Sequence, residues 1–366
     1  MLEDLKLGLK NIAGKRIDRK IVVFSVDDYG TIRTASKQAR ENMKKKGVKM
    51  LSYFDEYDAL ETKEDLLALF DVLNSVKDKH GNSAVFTPFS LSANIDFDKV
   101  IASKDFKYKY ELLPETYQKL GGAYEGIMDV WKEGIKNKLF VPQFHGREHL
   151  NISIFEELLK EKDPQLMINF ENRSYSAIDD TKFPNKSFPA AFDFYDFKEN
   201  ENFIPIIKDG LHTFEQVFGY RATYFNAPGD SEHHIIHKTL QENGIKYLDQ
   251  PIVKNEHQGN GKYKKRINYF GKKTNYGQTI LVRNCVFEPQ TRKGLDWESY
   301  TMKQIEAAFK WGKPANISSH RVNFAGHIDP KNREEGLEQL KRLLKEIVKK
   351  WPDVEFMSAD KLARLL

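Results

Sequence analysis

The sequence lacks several features that define other classes of protein. It has one cysteine, Cys285, in 366 residues, which excludes an internal disulfide and a cysteine metal cluster. No run approaches the roughly 20 apolar residues of a transmembrane helix. The first residues include the acidic Glu3 and Asp4, which argues against a signal peptide. We therefore expect a cytoplasmic protein in which Cys285 is a plain core thiol.

The sequence also has little excess of charge. The net charge is +5, 30% of the residues are charged and 40% are hydrophobic, which is typical of a globular protein. Lysine clusters at residues 44–46 and 262–266 could be read as a nucleic-acid footprint. Acidic residues are interspersed almost everywhere else, however, so a solvated surface is the favoured interpretation. No nucleic-acid partner is expected, and the sequence does not indicate the oligomeric state.

Short apolar runs alternate with longer helical patterns along the whole chain. Residues 20–26, for example, are almost continuously apolar, as in a strand that is buried on both faces. Amphipathic stretches with helical spacing separate such runs. This order predicts an α/β fold with a parallel sheet, open or closed into a barrel. We expect one domain over residues 1–366, with irregular insertions at about 163–202 and 255–278.

Four polar clusters stand where strand-like runs stop. They are SVDDYG at 25–30, FHGREH at 144–149, YFNAPG at 224–229 and NISSHR at 316–321. Because the carboxyl ends of parallel strands meet at one face of the sheet, the four clusters are expected to lie together. Polar groups at several separate strand ends favour the barrel over the open sheet.

Adjacent carboxylates close the first of these strands. Asp27 and Asp28 can take different roles, since one could bind a metal while the other acts as a base. The alternative is that one of them caps the helix that follows. His145 and His149 are spaced by four residues, so they could share a metal ion.

The histidine pair also matches the H-x-x-E-H pattern of inverted zinc metallopeptidases, in which the motif lies inside a helix. Here Pro142 and Gly146 flank and interrupt the motif, so a strand-to-helix junction is the better placement. A rival pair, His233 and His237, has the same four-residue spacing beside the apolar residues Ile235 and Ile236, but it lacks the carboxylate that a zincin base requires. We interpret that rival pair as structural.

The third and fourth clusters are ambiguous when taken alone. Asn226, Pro228 and Gly229 could present backbone N–H groups to an anion, or they could simply form a tight turn. A single histidine at a strand end, such as His320, is more often structural than catalytic. Together, a metal pair, a carboxylate base and a distal histidine acid are the groups that amide hydrolysis needs.

The four clusters together resemble the motifs of the polysaccharide deacetylase family, carbohydrate esterase family 4, whose core is the NodB homology domain. SVDDYG is similar to its first motif, H-x-x-x-H to its second, FNAPG to its third and ISSH to its fourth. The order and rough spacing agree from about residue 20 to 325. The resemblance implies a distorted (β/α)7 barrel of the NodB-like glycoside hydrolase and deacetylase type, with loop insertions.

The resemblance also implies a role for each matched residue. Asp28, His145 and His149 would bind a divalent metal, Asp27 would be the catalytic base and His320 the general acid. Two histidines and one carboxylate suit Zn2+ best, although Co2+, Ni2+, Mn2+ or Fe2+ could occupy the same set. Residues expected to contact the substrate or oxyanion, or to support the site from behind, are Tyr29, Arg147, Asn226, Pro228, Gly229, Asp249 and Arg321.

The chain departs from the family pattern at the third motif. The arginine that orients the base there is replaced by Asn226, and Arg221 or Arg321 could substitute for it. Asp249 is the candidate for the acidic residue that tunes the catalytic histidine. Since no secretion signal is seen, the implied substrate is an intracellular acylated sugar or a glycan precursor.

The sequence thus predicts a metal-dependent hydrolase that removes N-acetyl or O-acetyl groups from a carbohydrate, in which a water made acidic by the metal attacks the acetamide. Two alternatives stay open. One is a catalytically impaired homologue that binds carbohydrate or metal, which the replacement by Asn226 suggests. The other is a glycosidase-like hydrolase on a related barrel, in which two carboxylates act as acid and base.

Overall fold

The computed structural model describes residues 7–291 and 294–366, and its main feature is a ten-stranded sheet. The N-terminal residues on which the expectation of no signal peptide rests lie outside the described part. In chain order the strands are β1 (Ile21–Tyr29), β2 (Phe86–Leu91), β3 (Ala93–Ile95), β4 (Tyr110–Leu112), β5 (Gln143–Gly146), β6 (Tyr224–Phe225), β7 (Tyr247–Asp249), β8 (Val253–His257), β9 (Tyr263–Ile267), β10 (Lys272–Lys273), β11 (Thr279–Leu281), β12 (Cys285–Val286), β13 (Ala315–His320) and β14 (Glu355–Phe356).

The main sheet is parallel except at one edge. Its order is β10-β11-β7-β6-β5-β2-β1-β13-β12, with β14 paired to β1, and β10 alone runs antiparallel to its neighbour. Residues 282–284 are all that separates β11 from β12 in the chain, and such a link spans about 14 Å at most. The two sides of the sheet must therefore curl toward each other. The expected barrel-like α/β class is confirmed.

Helices connect most of these parallel strands. They are α1 (Lys37–Lys45), α2 (Tyr53–Tyr57), α3 (Lys63–Asn74), α4 (Phe97–Ser103), α5 (Leu113–Leu120), α6 (Ile127–Lys136), α7 (Ile152–Glu161), α8 (Pro164–Glu171), α9 (Asn200–Phe218), α10 (His237–Glu242), α11 (Trp297–Lys310), α12 (Pro330–Lys350) and α13 (Ala359–Ala363). In α12, Leu337, Leu340 and Leu344 are buried, which is the spacing of one helix face. No helix in the described ranges is long and apolar enough to cross a membrane.

The centre of the core is β1. All nine of its residues are buried, as the apolar run of residues 20–26 predicts, and β1 is paired with β2 on one side and β13 on the other. The ring of Phe24 stacks on that of Phe86 in β2, with 5.4 Å between the ring centroids. Cys285 is buried as a free thiol.

Pro88 lies inside the second strand and does not end it. It lies inside β2 opposite Val26, and the register with β1 then shifts before pairing resumes between Tyr29 and Ser90. A proline lacks the N–H that a ladder needs. It is tolerated here because the partner strand bulges at that point.

The two expected insertions contain more regular structure than predicted. The first begins with α8, whose N-cap Asp163 accepts hydrogen bonds from two backbone N–H groups and is followed by Pro164. Aspartate at the N-cap followed by proline at the first helical position is a favourable start for a helix. Most of the second insertion is the β8–β9 hairpin, in which Val253 pairs with Ile267. The assignment of residues 1–366 to one domain stays a prediction.

A prediction follows from the packing of α12. Gly336 lies against the backbone carbonyl of Asn323, and a Cβ at this glycine would overlap with that oxygen. Gly336→Ala should lower the free energy of unfolding by about 1–3 kcal/mol, since overpacking outweighs the gain in helix propensity. Urea unfolding measures the change. Glu338→Ala, on the exposed face of the same helix, is the control, and equal stability of the two variants would contradict this packing.

Candidate metal centre and catalytic cavity

A bulge at the end of β1 turns both aspartates to the same side. Successive side chains of a regular strand point to opposite faces. Asp28 instead has a φ of 77°, and the register between β1 and β2 shifts between Val26 and Tyr29. Asp27 and Asp28 consequently line one cavity of about 330 Å³. Aspartate is among the few residues that adopt such a φ without a severe penalty.

The turn after the bulge is held by buried contacts. Gly30 has a φ of 86°, and a Cβ there would overlap with the carbonyl oxygen of Leu91, so the position requires glycine. Its N–H donates to both carboxylate oxygens of Glu61 at 3.2 Å. Glu61 in turn is paired with Arg321 at 2.9 Å. These contacts fix the backbone that carries Asp28.

The two histidines of the second motif come from the end of β5 and the loop that follows it. His145 is in the strand, His149 lies before α7, and both are buried. The Nε2 atom of His149 is 3.0 Å from the Oδ1 atom of Asp28, and that of His145 is 3.5 Å away. The motif is therefore not inside a helix, which contradicts the inverted metallopeptidase interpretation.

The three side chains fit a divalent metal. Their potential ligand atoms lie within 4.8 Å of one another. The Nδ1 atom of His145 is 2.9 Å from the backbone carbonyl oxygen of Asn226, which fixes the tautomer with the proton on Nδ1. The buried Nε2 atom of His145 has no hydrogen-bond partner in the described residues, so its lone pair is free for a metal.

The pKa shifts of Asp28 and His149 favour the protonation states that bind a metal. Burial by itself would raise the pKa of Asp28, but the adjacent His149 and His145 hold it well below its usual range. Burial lowers the pKa of His149, against the opposing effect of Asp28. An ionised carboxylate and neutral imidazoles are the forms that bind metal.

Arg283 holds Asp27 in a bidentate ion pair. Its Nη1 and Nη2 atoms donate to the two carboxylate oxygens of Asp27 at 2.5 and 2.7 Å. Its Nε atom donates to Asp249 at 3.1 Å, and Asp249 also accepts from the hydroxyl of Tyr224 at 3.1 Å. Burial raises the pKa of Asp249 to about 6. Arg283 thus supplies the contact that was expected from Arg221 or Arg321.

The carboxylate of Glu288 holds the ring of His320, which lies next to Asp27. The Nδ1 atom of His320 is 2.6 Å from Oε1 of Glu288, and its Nε2 atom is 3.8 Å from Oδ2 of Asp27. Asn323 donates to the other oxygen of Glu288 at 2.6 Å. Although burial lowers the pKa of His320, the charge of Glu288, with smaller effects of Asp28 and Asp27, raises it to about 10.

Several predicted site residues do not face the cavity. Arg321 is buried against Asp58 and Glu61, and Arg221 is exposed and paired with Glu215. Asp249 contacts Arg283 rather than His320, so it does not tune that histidine. Each of these charges has a nearer partner that balances it.

The remaining predicted residues divide between the cavity and its surroundings. Asn226 and Gly229 line the cavity, whereas Pro228 is buried beside it. Tyr29 packs edge-on against aromatic rings of the core. Arg147 is paired with neighbouring carboxylates and lies over a tyrosine ring, and it is not among the residues that line the cavity.

The rival histidines form a separate cluster. His233 and His234 lie near Glu256, and Arg266 donates to the same carboxylate at 2.5 Å. A guanidinium in contact with Glu256 and His234 disfavours a metal ion there. His237 is buried beside Glu232. The structural interpretation of this segment agrees with the geometry.

Sequence reasoning missed Arg283 and Glu288. Arg283 follows directly after the apolar residues of β11, and a charged side chain in a buried run usually has a buried partner of opposite charge. That signal was present, but it does not identify the partner. Glu288 follows β12 without any motif around it, so no local pattern could have identified it.

The pKa of His320 provides a test of this geometry. Glu288→Gln should shift the pKa of His320 down from about 10 toward the ordinary value near 6.5, because the amide carries no negative charge. Titration followed by NMR of the histidine ring measures it, and Glu298→Gln, a substitution remote from the site, is the control. An unchanged pKa would contradict the pairing.

The same shift has a consequence for folding. Since the folded-state pKa of His320 lies above its unfolded value, protonated His320 stabilises the fold fully below pH 6.5. This contribution is lost as the pH rises toward 10. The stability of the wild type should fall more than that of Glu288→Gln between pH 7 and pH 10, measured by urea unfolding.

Comparisons with known proteins show a similarity in fold and no similarity in sequence that would identify a family. No family model matches the chain, and no curated protein matches it. A probable polysaccharide deacetylase from Pseudomonas aeruginosa PAO1 has a TM-score of 0.45 and 10% identity, over 95% of this chain and 91% of its own. The PuuE allantoinase has a TM-score of 0.45 and 11% identity, over 95% and 90%. A 4-alpha-glucanotransferase from Thermococcus litoralis has a TM-score of 0.46 and 9% identity, over 95% and 40%.

Proposed function

We propose that this chain is a metal-dependent hydrolase that removes an acetyl group, attached through nitrogen or oxygen, from a carbohydrate or a glycan precursor. The observation that carries the proposal is the composition of one cavity. It contains a three-residue metal set with an unpartnered His145 Nε2 atom, a fixed carboxylate at Asp27 and a histidine held by a carboxylate at His320. These are the groups that hydrolysis of an amide requires.

Asp28, His145 and His149 would hold the metal, and the set suits Zn2+ best because it has two imidazoles and one carboxylate. When bound, such an ion lowers the pKa of water toward neutrality and polarises the acyl carbonyl. The protein's own contribution is to fix these ligands. The backbone carbonyl of Asn226 orients His145, and the bulge in β1 orients Asp28.

Asp27 is placed to accept the proton of the attacking water. Both of its oxygens accept hydrogen bonds from Arg283, so the orientation of the carboxylate is fixed. Each oxygen keeps a further lone pair for a proton donor. Asp27 is paired with His320 in the register between β1 and β13, which sets the base and the acid side by side.

His320 is placed to protonate the leaving group. Its Nδ1 atom faces Glu288, which leaves the Nε2–H directed toward the Asp27 side of the cavity. With a pKa near 10, the imidazolium is present at neutral pH, as a general acid must be. Glu288 acts as a positioning residue, since it holds the ring and keeps it charged.

The structure weakens the reasons for the two alternatives. The impaired homologue was suggested by Asn226 in place of an arginine, but Arg283 makes the contact that this arginine would make. A glycosidase needs one carboxylic acid kept protonated near a second carboxylate. Asp27 is instead held by the guanidinium of Arg283, and Asp28 belongs to the candidate metal set, so neither is placed to act as that acid.

The first test is acetate release from a panel of acetylated sugars, with and without a chelator. We expect release that stops on metal removal and returns with Zn2+. Asp27→Asn should keep the metal, measured by elemental analysis, and lose about 10²- to 10⁴-fold in kcat. His145→Ala should lose the metal, whereas His233→Ala, in the rival cluster, should retain it. Wild-type turnover in Asp27→Asn, or metal loss in His233→Ala alone, would overturn these assignments.

Arg283 can be tested separately. Arg283→Lys keeps a positive charge but lacks the planar guanidinium that donates to both oxygens of Asp27. We expect kcat to fall about 10²-fold with little change in KM, because the base is misplaced while binding is retained. Arg221→Lys, an exposed position (76% of the side chain), is the matched control. Equal kinetics of the two variants would exclude a positioning role for Arg283.

A further inference from the structure

Arg33 is a cation of the cavity wall that the proposed reaction does not use. It lines the same cavity as the metal set, and 13% of its side chain is exposed. Its Nε atom lies 3.4 Å from Oδ2 of Asp58, which is an ion pair without hydrogen-bond geometry. Among the described residues, the guanidinium of Arg33 donates no hydrogen bond.

Two neighbouring arginines, Arg283 and Arg321, show how a guanidinium with a full set of hydrogen bonds is arranged in this protein. Arg283 is bidentate to Asp27. Arg321 donates from Nε and Nη2 to Oδ1 of Asp58 at 3.1 and 2.9 Å. Asp58 is therefore already committed to Arg321, and Arg33 shares only its second oxygen at a longer distance.

Arg33 is nevertheless held in place. Its backbone carbonyl oxygen accepts from the N–H of Tyr175 and the hydroxyl of Ser176, each at 2.9 Å. Its guanidinium carbon lies 5.2 Å from the centroid of the Phe54 ring, and that ring packs edge-on against His320 at 5.1 Å. An aromatic ring thus contacts both the unengaged cation and the proposed acid.

We propose that Arg33 binds an anionic group of the substrate, a carboxylate or a phosphate, while the acyl group lies at the metal set. The inference rests on the proposed function and adds the substrate class, an acylated sugar that carries a negative charge. A guanidinium fork matches both anions with paired hydrogen bonds. Asp193 and Asp230, which line the same cavity, are hydrogen-bond acceptors that suit the hydroxyl groups of a sugar, whereas Arg33 is a donor that suits an anion.

The test measures binding and turnover separately, with zinc-loaded protein at fixed ionic strength. Calorimetric titration compares N-acetylmuramic acid, which has a carboxylate, N-acetylglucosamine 6-phosphate and neutral N-acetylglucosamine. We expect the wild type to bind at least one charged sugar about 10- to 100-fold more tightly than the neutral one. The difference between the two charged sugars identifies which anion the site takes.

The variants assign that preference to Arg33. Arg33→Gln should abolish it, Arg33→Lys should keep part of it, and Arg221→Gln, an exposed arginine outside the cavity, should leave it unchanged. Thermal unfolding checks that each variant is folded. If Arg33→Gln does not fold, Arg33→Lys decides, because the loss of the fork should still reduce the preference.

Equal binding of charged and neutral sugars by the wild type would overturn the inference, and so would a preference that survives Arg33→Gln. Acetate release from the same sugars distinguishes a failure of this inference from a failure of the proposed function. Acetate release without any charge preference would refute the role of Arg33 alone. A preference that depends on Arg33, without acetate release from any sugar, would refute the deacetylase and leave the anion site standing.

Discussion

The ion pair between Arg283 and Asp27 is the interaction on which the cavity depends. Arg283 lies in the short segment between β11 and β12, and it reaches both Asp27 on β1 and Asp249 on β7. It therefore ties the central strand to the far side of the curled sheet. Burying a guanidinium and two carboxylates is costly, and the cost is offset because every contact is a charge-assisted hydrogen bond.

The bulge at Asp28 is the second constraint, and it depends on the same strand. A left-handed backbone at a residue other than glycine costs of order 1–3 kcal/mol. It persists because Gly30, Glu61 and Arg321 hold the turn from behind. Without the bulge, Asp27 and Asp28 would face opposite sides of the sheet. The strained backbone thus makes it possible for one strand end to direct two adjacent carboxylates into the same cavity.

Much of the fold and the candidate metal set could be predicted from the sequence, whereas the residues that hold Asp27 and His320 could not. The apolar run of β1 and the four-residue spacing of His145 and His149 are local patterns, so they can be recognised in the sequence. Arg283 is separated from Asp27 by 256 positions, and no pattern in the chain links them. The continuation of β2 past Pro88 likewise depends on a bulge in a partner strand, which no local pattern reveals.

The sequence by itself determined the alternation of strands and helices, the strand ends that carry Asp27, Asp28, His145 and His320, and the residue types suited to a metal. These follow from short-range periodicity and from residue chemistry. Only the tertiary structure decided which arginine faces which carboxylate. A buried charged side chain pairs with the nearest group of opposite charge. The curl of the sheet determines which charged groups lie close to each other. The curl of the sheet around residues 282–284 therefore set Arg283 against Asp27 and Glu288 against His320, and it left the guanidinium of Arg33 without a hydrogen-bond acceptor among the described residues.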